Sequence, residues 1–281
     1  MVNKSFSIYS EEADLKSGAE QQVIVEVGKS HLVSFTYDTN NATVTAFESF
    51  DFKEENSKDF QKLFATILTQ SKVLSGNVQS VKVFINNEFC LPVPTFKFNK
   101  DIATDYLNIA FGSTHSTVVK YDHLAITPDI INIYKVAEDC HNTLTKYFSK
   151  ISFQHTYSSI IRHVTALTAH SPGVLSVFFY NTHINVVVMK EEKFCLVQSI
   201  EYETGEDVVY FLLNLAERLG LNKDQLTVMV TGMINLDFTL YRELIKYFNN
   251  VQVDNSIPIK TAFTINDYPS HYFNPFFKLA V

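Results

Sequence analysis

The stretch Val23-Ile-Val-Glu-Val-Gly-Lys-Ser30 closes an apolar run on the Gly-Lys-Ser of a phosphate-binding loop. The chemistry at stake is phosphate capture. A Walker-type loop carries a further glycine, separated by four residues from its Gly-Lys, so that backbone N–H groups can wrap the phosphates, and it runs straight into a helix. Here that glycine's place is taken by Val23. The residues that follow, His31-Leu-Val-Ser-Phe-Thr-Tyr37, alternate as a strand does. Both departures exclude a P-loop. The nine histidines show no H-E-x-x-H and no short ligand pair, which argues for scattered imidazoles over a metal site. No G-x-S-x-G nucleophile elbow is present. Cys90, Cys140 and Cys195 lie far apart without a C-x-x-C pair. That spacing predicts reduced thiols in a cytoplasmic protein, with neither disulfides nor zinc.

These residues need a scaffold, and 281 residues with 46% hydrophobic content can bury a full core in two subdomains or one large domain. The 24 Phe and 14 Tyr sit mostly in apolar periodic segments and are expected inside, not as a stacking platform for bases. A formal net charge of -7 without a basic stripe argues against nucleic acid and anionic membranes as partners. The first residues contain no apolar signal region, and nowhere does an apolar run reach the length of a transmembrane helix. The expectation is a soluble, unexported protein.

Residues 1–20 read as a polar, aperiodic arm. Three short strands are predicted at Gln22–Gly28, Leu32–Tyr37 and Thr43–Asp51. A helix follows, with Ser57 as N-cap and Phe60, Leu63, Phe64, Ile67 and Leu68 on one face, stopped by Gly76-Asn77 before a fourth strand at Val78–Ile85. The same order returns after Pro172-Gly173: strands at Val174–Tyr180, Ile184–Met189 and Phe194–Glu203, then a helix opened by the capping box of Thr204-Gly-Glu-Asp207 and closed by Gly220. A fourth strand at Gln225–Val230 completes it. The two β-β-β-α-β units lie about 150 residues apart and predict an internal duplication. Between them fall helices at Lys100–Phe111, Glu138–Phe148 and Thr156–Thr168, and strands at Thr117–Asp122 and Asp129–Lys135. After the second unit come a helix at Asp237–Phe248, a strand at Val251–Val253, and an apolar tail, Asn274 to Val281, expected to dock.

A duplicated β-β-β-α-β-α pattern with a helix-rich joint resembles the actin-like ATPase (ribonuclease-H-like) superfamily. The phrases YETGEDVVYFLLNLAERLGL, TLYRELIKYF and HYFNPFFKLAV are similar to those of an uncharacterised bacterial domain family with a degenerate form of this fold. The resemblance runs from about Gln21 to the end and extends distantly to the actin-like proteins of pilus assembly and secretion platforms. It implies a duplicated α/β fold of two lobes, each a mixed β-sheet flanked by helices: the first over 21–155, the second over 156–281 including a bridging helix.

Active members carry an Asp-x-Gly-type loop in the first hairpin of each copy, with a carboxylate that organises magnesium. The matching residues are Glu26, Gly28 and Ser30 in the first copy, and Asn181 and Thr182 in the second, which has neither acid nor glycine. A glycine turn that packs adenosine corresponds to Gly232, and the strand-end residue that orients water to Glu88. Read from the residues alone, Glu26 is a solvent-facing strand-end carboxylate paired with Lys29, Asn181 and Thr182 form an ordinary turn, and Gly232 is a strand-to-helix turn. With the acidic loop residues lost, the leading expectation is a pseudo-ATPase: a non-catalytic binding or scaffold module, without cofactor, that meets a protein partner. The alternatives are an ATP- and magnesium-dependent hydrolase or phosphotransferase in which Glu26 and Asn181 face one another across the cleft, and a component of a membrane-associated assembly platform.

Overall fold

A computed structural model describes residues 2–10, 21–76, 78, 80–113, 116–167, 172–236, 239–256, 259–265 and 267–280. Residues 11–20 of the expected arm, the expected helix ends at Thr168 and Asp237, and Asn77 lie outside the described residues.

Two sheets share one strand order. In the first lobe β1 (Val2–Tyr9), β2 (Gln21–Gly28), β3 (His31–Asp38), β4 (Thr43–Phe52), β5 (Ser80–Asn86) and β9 (Lys150–His155) lie in the order β1-β4-β3-β2-β5-β9. In the second, β10 (Gly173–Phe179), β11 (His183–Lys190), β12 (Lys193–Glu201), β13 (Thr227–Gly232) and β14 (Asn250–Val253) lie in the order β12-β11-β10-β13-β14. Each is an antiparallel meander continued by two parallel strands. Helix α1 (Phe60–Gln70) stands between β4 and β5 as α5 (Gly205–Arg218) stands between β12 and β13. Helices α3 (Glu138–Tyr147) and α6 (Thr239–Tyr247) precede the last strand of each sheet. Between β5 and α3 the first lobe inserts a small sheet, β6 (Cys90–Pro94), β7 (Thr117–Leu124) and β8 (Ile130–Ala137), with α2 (Ala103–Phe111) against it.

The central strands are buried along most of their length because both of their faces are covered. β10 is buried along its whole length, and alternate residues serve two cores. Leu175, Val177 and Phe179 pack with Val208, Leu212 and Leu215 of α5 and Leu244 of α6. Val174 and Phe178 join a core shared with the first lobe, among Phe35, Phe47 and the C-terminal Phe273, Phe276 and Phe277. α4 (Thr156–Leu167) touches strands of both sheets. The tail docks as expected, through α7 (Asn274–Phe277) and a 3-10 turn in which Lys278 and Leu279 are buried. A two-residue strand, β15 (Lys260–Thr261), runs parallel to β4.

Several local expectations are corrected. Val2–Tyr9 is not an aperiodic arm. It is an edge strand antiparallel to β4, and its burial alternates residue by residue because one face alone meets the core. The N-cap of α1 is Asp59, whose carboxylate accepts the Lys62 N–H, while Ser57 sits in the preceding 3-10 turn with its hydroxyl on the Glu54 carbonyl. Asp139 of α3 accepts the Phe60 N–H at 2.6 Å and so docks that helix end a second time. α1 ends at Gln70, before Gly76. The turn beyond it is held by the buried carboxylate of Glu48, which accepts from the Ser71 hydroxyl and the Lys72 and Val73 N–H groups. β6 and β9, absent from the sequence reading, complete their sheets.

β1 also delivers Lys4 and Tyr9 to Glu48, at 2.7 and 2.5 Å. Burial works against the Glu48 charge, and the hydrogen bonds from Lys4, Ser71, Tyr9 and Lys72 outweigh it, holding the carboxyl below its usual range. Lys4→Met removes the only ammonium on this carboxylate among the described residues. It is expected to lower stability by about 1–3 kcal/mol, the cost of stranding a buried charged partner. Urea denaturation checks this, and an unchanged midpoint would assign β1 no part in the fold.

Candidate functional site

The two first hairpins of the repeated units meet at the lobe boundary. Val27 stands opposite Leu32 across β2–β3, and Phe179 opposite Ile184 across β10–β11. The turns therefore correspond residue for residue: Gly28 with Tyr180, Lys29 with Asn181, Ser30 with Thr182, His31 with His183. In the same frame Glu26 corresponds to Phe178, so the second copy holds no polar residue at that position.

Glu26 does not face solvent. Its exposure is 0%, and each carboxylate oxygen has two partners. Oε1 lies 2.9 Å from His31 Nε2 and accepts from Asn86 Nδ2 at 3.2 Å. Oε2 accepts from the hydroxyls of Thr156 at 2.9 Å and Tyr180 at 3.4 Å. Four donors fill the roughly four acceptor positions of a carboxylate, which leaves none for a metal-bound water. Burial, and then the Glu26 charge, push the Tyr180 phenol well above its usual range, so it stays a donor. Asn86 Oδ1 in turn accepts from Asn185 Nδ2 at 3.1 Å, which ties β5 to β11.

Aromatic rings occupy the space between the turns. Tyr180 stacks on His183 with centroids 4.6 Å apart and planes 6° from parallel, and His31 completes a cluster of near-parallel rings, 5.4 Å from Tyr180 and 6.1 Å from His183. Phe276 of the C-terminal segment meets Tyr180 edge-on at 5.7 Å. The His31 ring folds back over the turn so closely that a Cβ on Gly28 would lie 2.2 Å from it. Gly28 is thus needed to admit the imidazole. Burial, then the nearby His31 and Lys29, lower His183 to about 3, so this ring is neutral at physiological pH.

Lys29 does not pair with Glu26. Its ammonium reaches Glu88 at 2.9 Å in the first lobe and Glu201 at 3.0 Å in the second. Above the aromatic layer opens a cleft of about 850 Å³, lined among others by Lys29, Ser30, Glu88, Thr182, Glu201 and Glu203. Asn181 is exposed and lines, with Ser30 and Thr182, a side cavity of about 160 Å³. It does not face Glu26, because Tyr180 does. Gly232 is buried at φ +94°, its N–H on the His271 carbonyl, and a Cβ there would lie 2.3 Å from the Phe179 oxygen and 2.9 Å from Pro275. Its bare backbone is covered by the C-terminal segment and open to no ligand. Of the six sequence candidates, the cleft wall takes Ser30 and Thr182. Glu26 and Gly232 lie beneath cover, and Gly28 lines a separate groove of about 260 Å³ beside the insert.

His31, Tyr180 and His183 were not singled out from the sequence. The signal was there: G-K-S-H and Y-N-T-H both end on the histidine that opens the second strand. Among the described residues no group of three or more His, Cys, Asp and Glu could hold a metal ion. No described helix is long and apolar enough to cross a membrane.

Paired sheets of one order, joined at their first hairpins with a cleft above, define the class as the actin-like ATPase fold. Comparison with solved structures agrees. A Bacteroides thetaiotaomicron protein with actin-like ATPase fold and unknown function matches with a TM-score of 0.73 at 16% identity, over 86% of this chain and 92% of that one. The PilM-PilN type IV pilus biogenesis complex matches with a TM-score of 0.59 at 10% identity, over 92% and 96%. No curated protein matches the chain in sequence. Residues 10–251 match the family described as "Protein of unknown function (DUF3822)", and the chain belongs to it.

Proposed function

We propose that this chain is a non-catalytic relative of the actin-like ATPases, a binding or scaffold module whose nucleotide position is filled by its own side chains. The observation that carries the reading is the Glu26 carboxylate, fully buried under four hydrogen-bond donors. Phosphoryl transfer in this class depends on positioning phosphates and metal, and a carboxylate so engaged has no acceptor left for magnesium. The charge of the cleft supports the same reading. Glu54, Glu88, Glu201, Glu203 and Asp207 line it against the single ammonium of Lys29, and that sign repels a polyphosphate.

Calorimetric titration with Mg-ATP is expected to give no heat of binding, and a phosphate-release assay no turnover above buffer. Micromolar binding that Lys29→Glu abolishes would overturn the reading and restore the enzyme alternative.

A second reading, a component of a multiprotein assembly, is supported by the fold shared with PilM, whose structure was solved with PilN. It agrees with the first: a scaffold that binds no nucleotide acts through what it holds.

A further inference from the structure

The cleft is rich in acceptors at every level. Its walls carry five carboxylates. Asp207 is engaged in the capping box of α5, and Glu88 and Glu201 share Lys29. Glu54 and Glu203 make no ion pair with any described residue. Beneath the floor the buried side-chain oxygen of Asn185 has no hydrogen-bond partner; this amide donates to the cleft-lining Asn86 and stands across the strand pair from Ser199. An amide oxygen only accepts. One ammonium, that of Lys29, lines the cleft against its five carboxylates, so the charge favours a cation over a phosphate.

We propose that the cleft binds a basic chain segment, presenting the arginine or lysine side chains of a partner protein. This rests on the reading above that the site does not take nucleotide, and it names what the site takes instead. The molecule already contains the pattern in small: Lys29 Nζ sits between Glu88 and Glu201, 2.9 and 3.0 Å from carboxylates on opposite lobes. A cation fits between the walls, and Glu203 and Glu54 extend the same surface on either side. Guanidinium, with five planar donors and a weakly held hydration shell, suits carboxylates and a buried neutral acceptor together. A cleft of about 850 Å³ has room for several such side chains.

The test titrates a fluorescent hexa-arginine peptide into the full chain by anisotropy, at low and at physiological ionic strength. Binding is expected to weaken with salt and to fall on the order of tenfold in Glu201→Gln/Glu203→Gln, which removes two exposed carboxylates of the cleft, one of them a partner of Lys29. The charge-matched Glu191→Gln/Glu217→Gln, away from the cleft, is expected to change affinity less than about twofold. No binding to the wild type, equal losses in the two double variants, or spermidine binding as tightly as the peptide would each overturn the proposal. A parallel Mg-ATP titration keeps the two readings apart. If neither ligand binds, the basic-segment proposal alone falls, and if ATP binds, the reading it rests on falls with it.

Discussion

Glu26→Ala is expected to destabilise the whole chain by about 3–5 kcal/mol, the cost of breaking a buried charged hydrogen-bond network from one side. The four donors it strands come from β3, β5, the start of α4 and, through Tyr180, the other lobe. None can turn to water, since Asn86, Thr156 and Tyr180 are themselves buried. Glu26→Gln keeps the volume, and its amide can donate to the hydroxyl oxygens of Thr156 and Tyr180. Its cost is expected near 1 kcal/mol. Urea denaturation of the two variants reads the difference. The experiment also discriminates function: a magnesium-organising carboxylate in an open loop would cost activity and little stability when removed. An alanine variant as stable as the wild type would therefore place Glu26 back in a ligand site.

The fold was legible because its signals are local and repeated. Hydrophobic alternation in β2, β3, β10 and β11, the capping box at Thr204 and Asp207 and the glycine at 220 each report their own element. What the sequence hid is long-range. β1 was read as an arm because its alternation is between polar and half-buried positions, and the partner that explains it, β4, lies some forty residues on. β9 follows directly on α3 and is a parallel strand whose neighbour, β5, is about seventy residues back. Glu26 was misread for the same reason. A glutamate at a strand end is ordinarily solvated, and only the approach of Thr156 and Tyr180, 130 and 154 residues away in sequence, buries it. The pairing of Lys29 with Glu88 and Glu201 could be read only once the hairpins faced each other.

The C-terminal segment reaches this site through a second buried charge. Asp254, at the end of β14, accepts from the ammonium of Lys278, whose side chain is 0% exposed, and from the Ser256 hydroxyl, with His163 of α4 3.4 Å away. Asn274 donates to the Asp254 carbonyl at 2.9 Å. Asp254→Ala leaves the Lys278 ammonium buried without a counter-charge, and the expected loss is again about 3–5 kcal/mol. Lys278→Met is expected to cost less, because Asp254 keeps Ser256 and His163. The double variant should lose less than the sum of the two, as contacting partners do. Burial would raise the Asp254 pKa, but the hydrogen bond from His163 and the charge and hydrogen bond of Lys278 outweigh it and hold the carboxyl well below its usual range. Burial pulls the Lys278 ammonium below its own usual value, so the net worth of the pair is the carboxylate's gain less that cost. With the folded pKa beneath the unfolded one, the contribution of Asp254 is complete above about pH 4 and is lost as pH falls below it. Stability measured by urea at neutral pH and in acid should therefore fall more steeply for the wild type than for Asp254→Ala. Parallel slopes would assign the acid limb to other carboxylates. Phe276, two residues before Lys278, packs against Tyr180 and His31, so loosening this anchor should also expose the aromatic layer that fills the cleft floor. Faster amide exchange at His31 and Tyr180 in Asp254→Ala than in Glu48→Ala, after the global stability of each is allowed for, would show that the tail holds this aromatic layer in place.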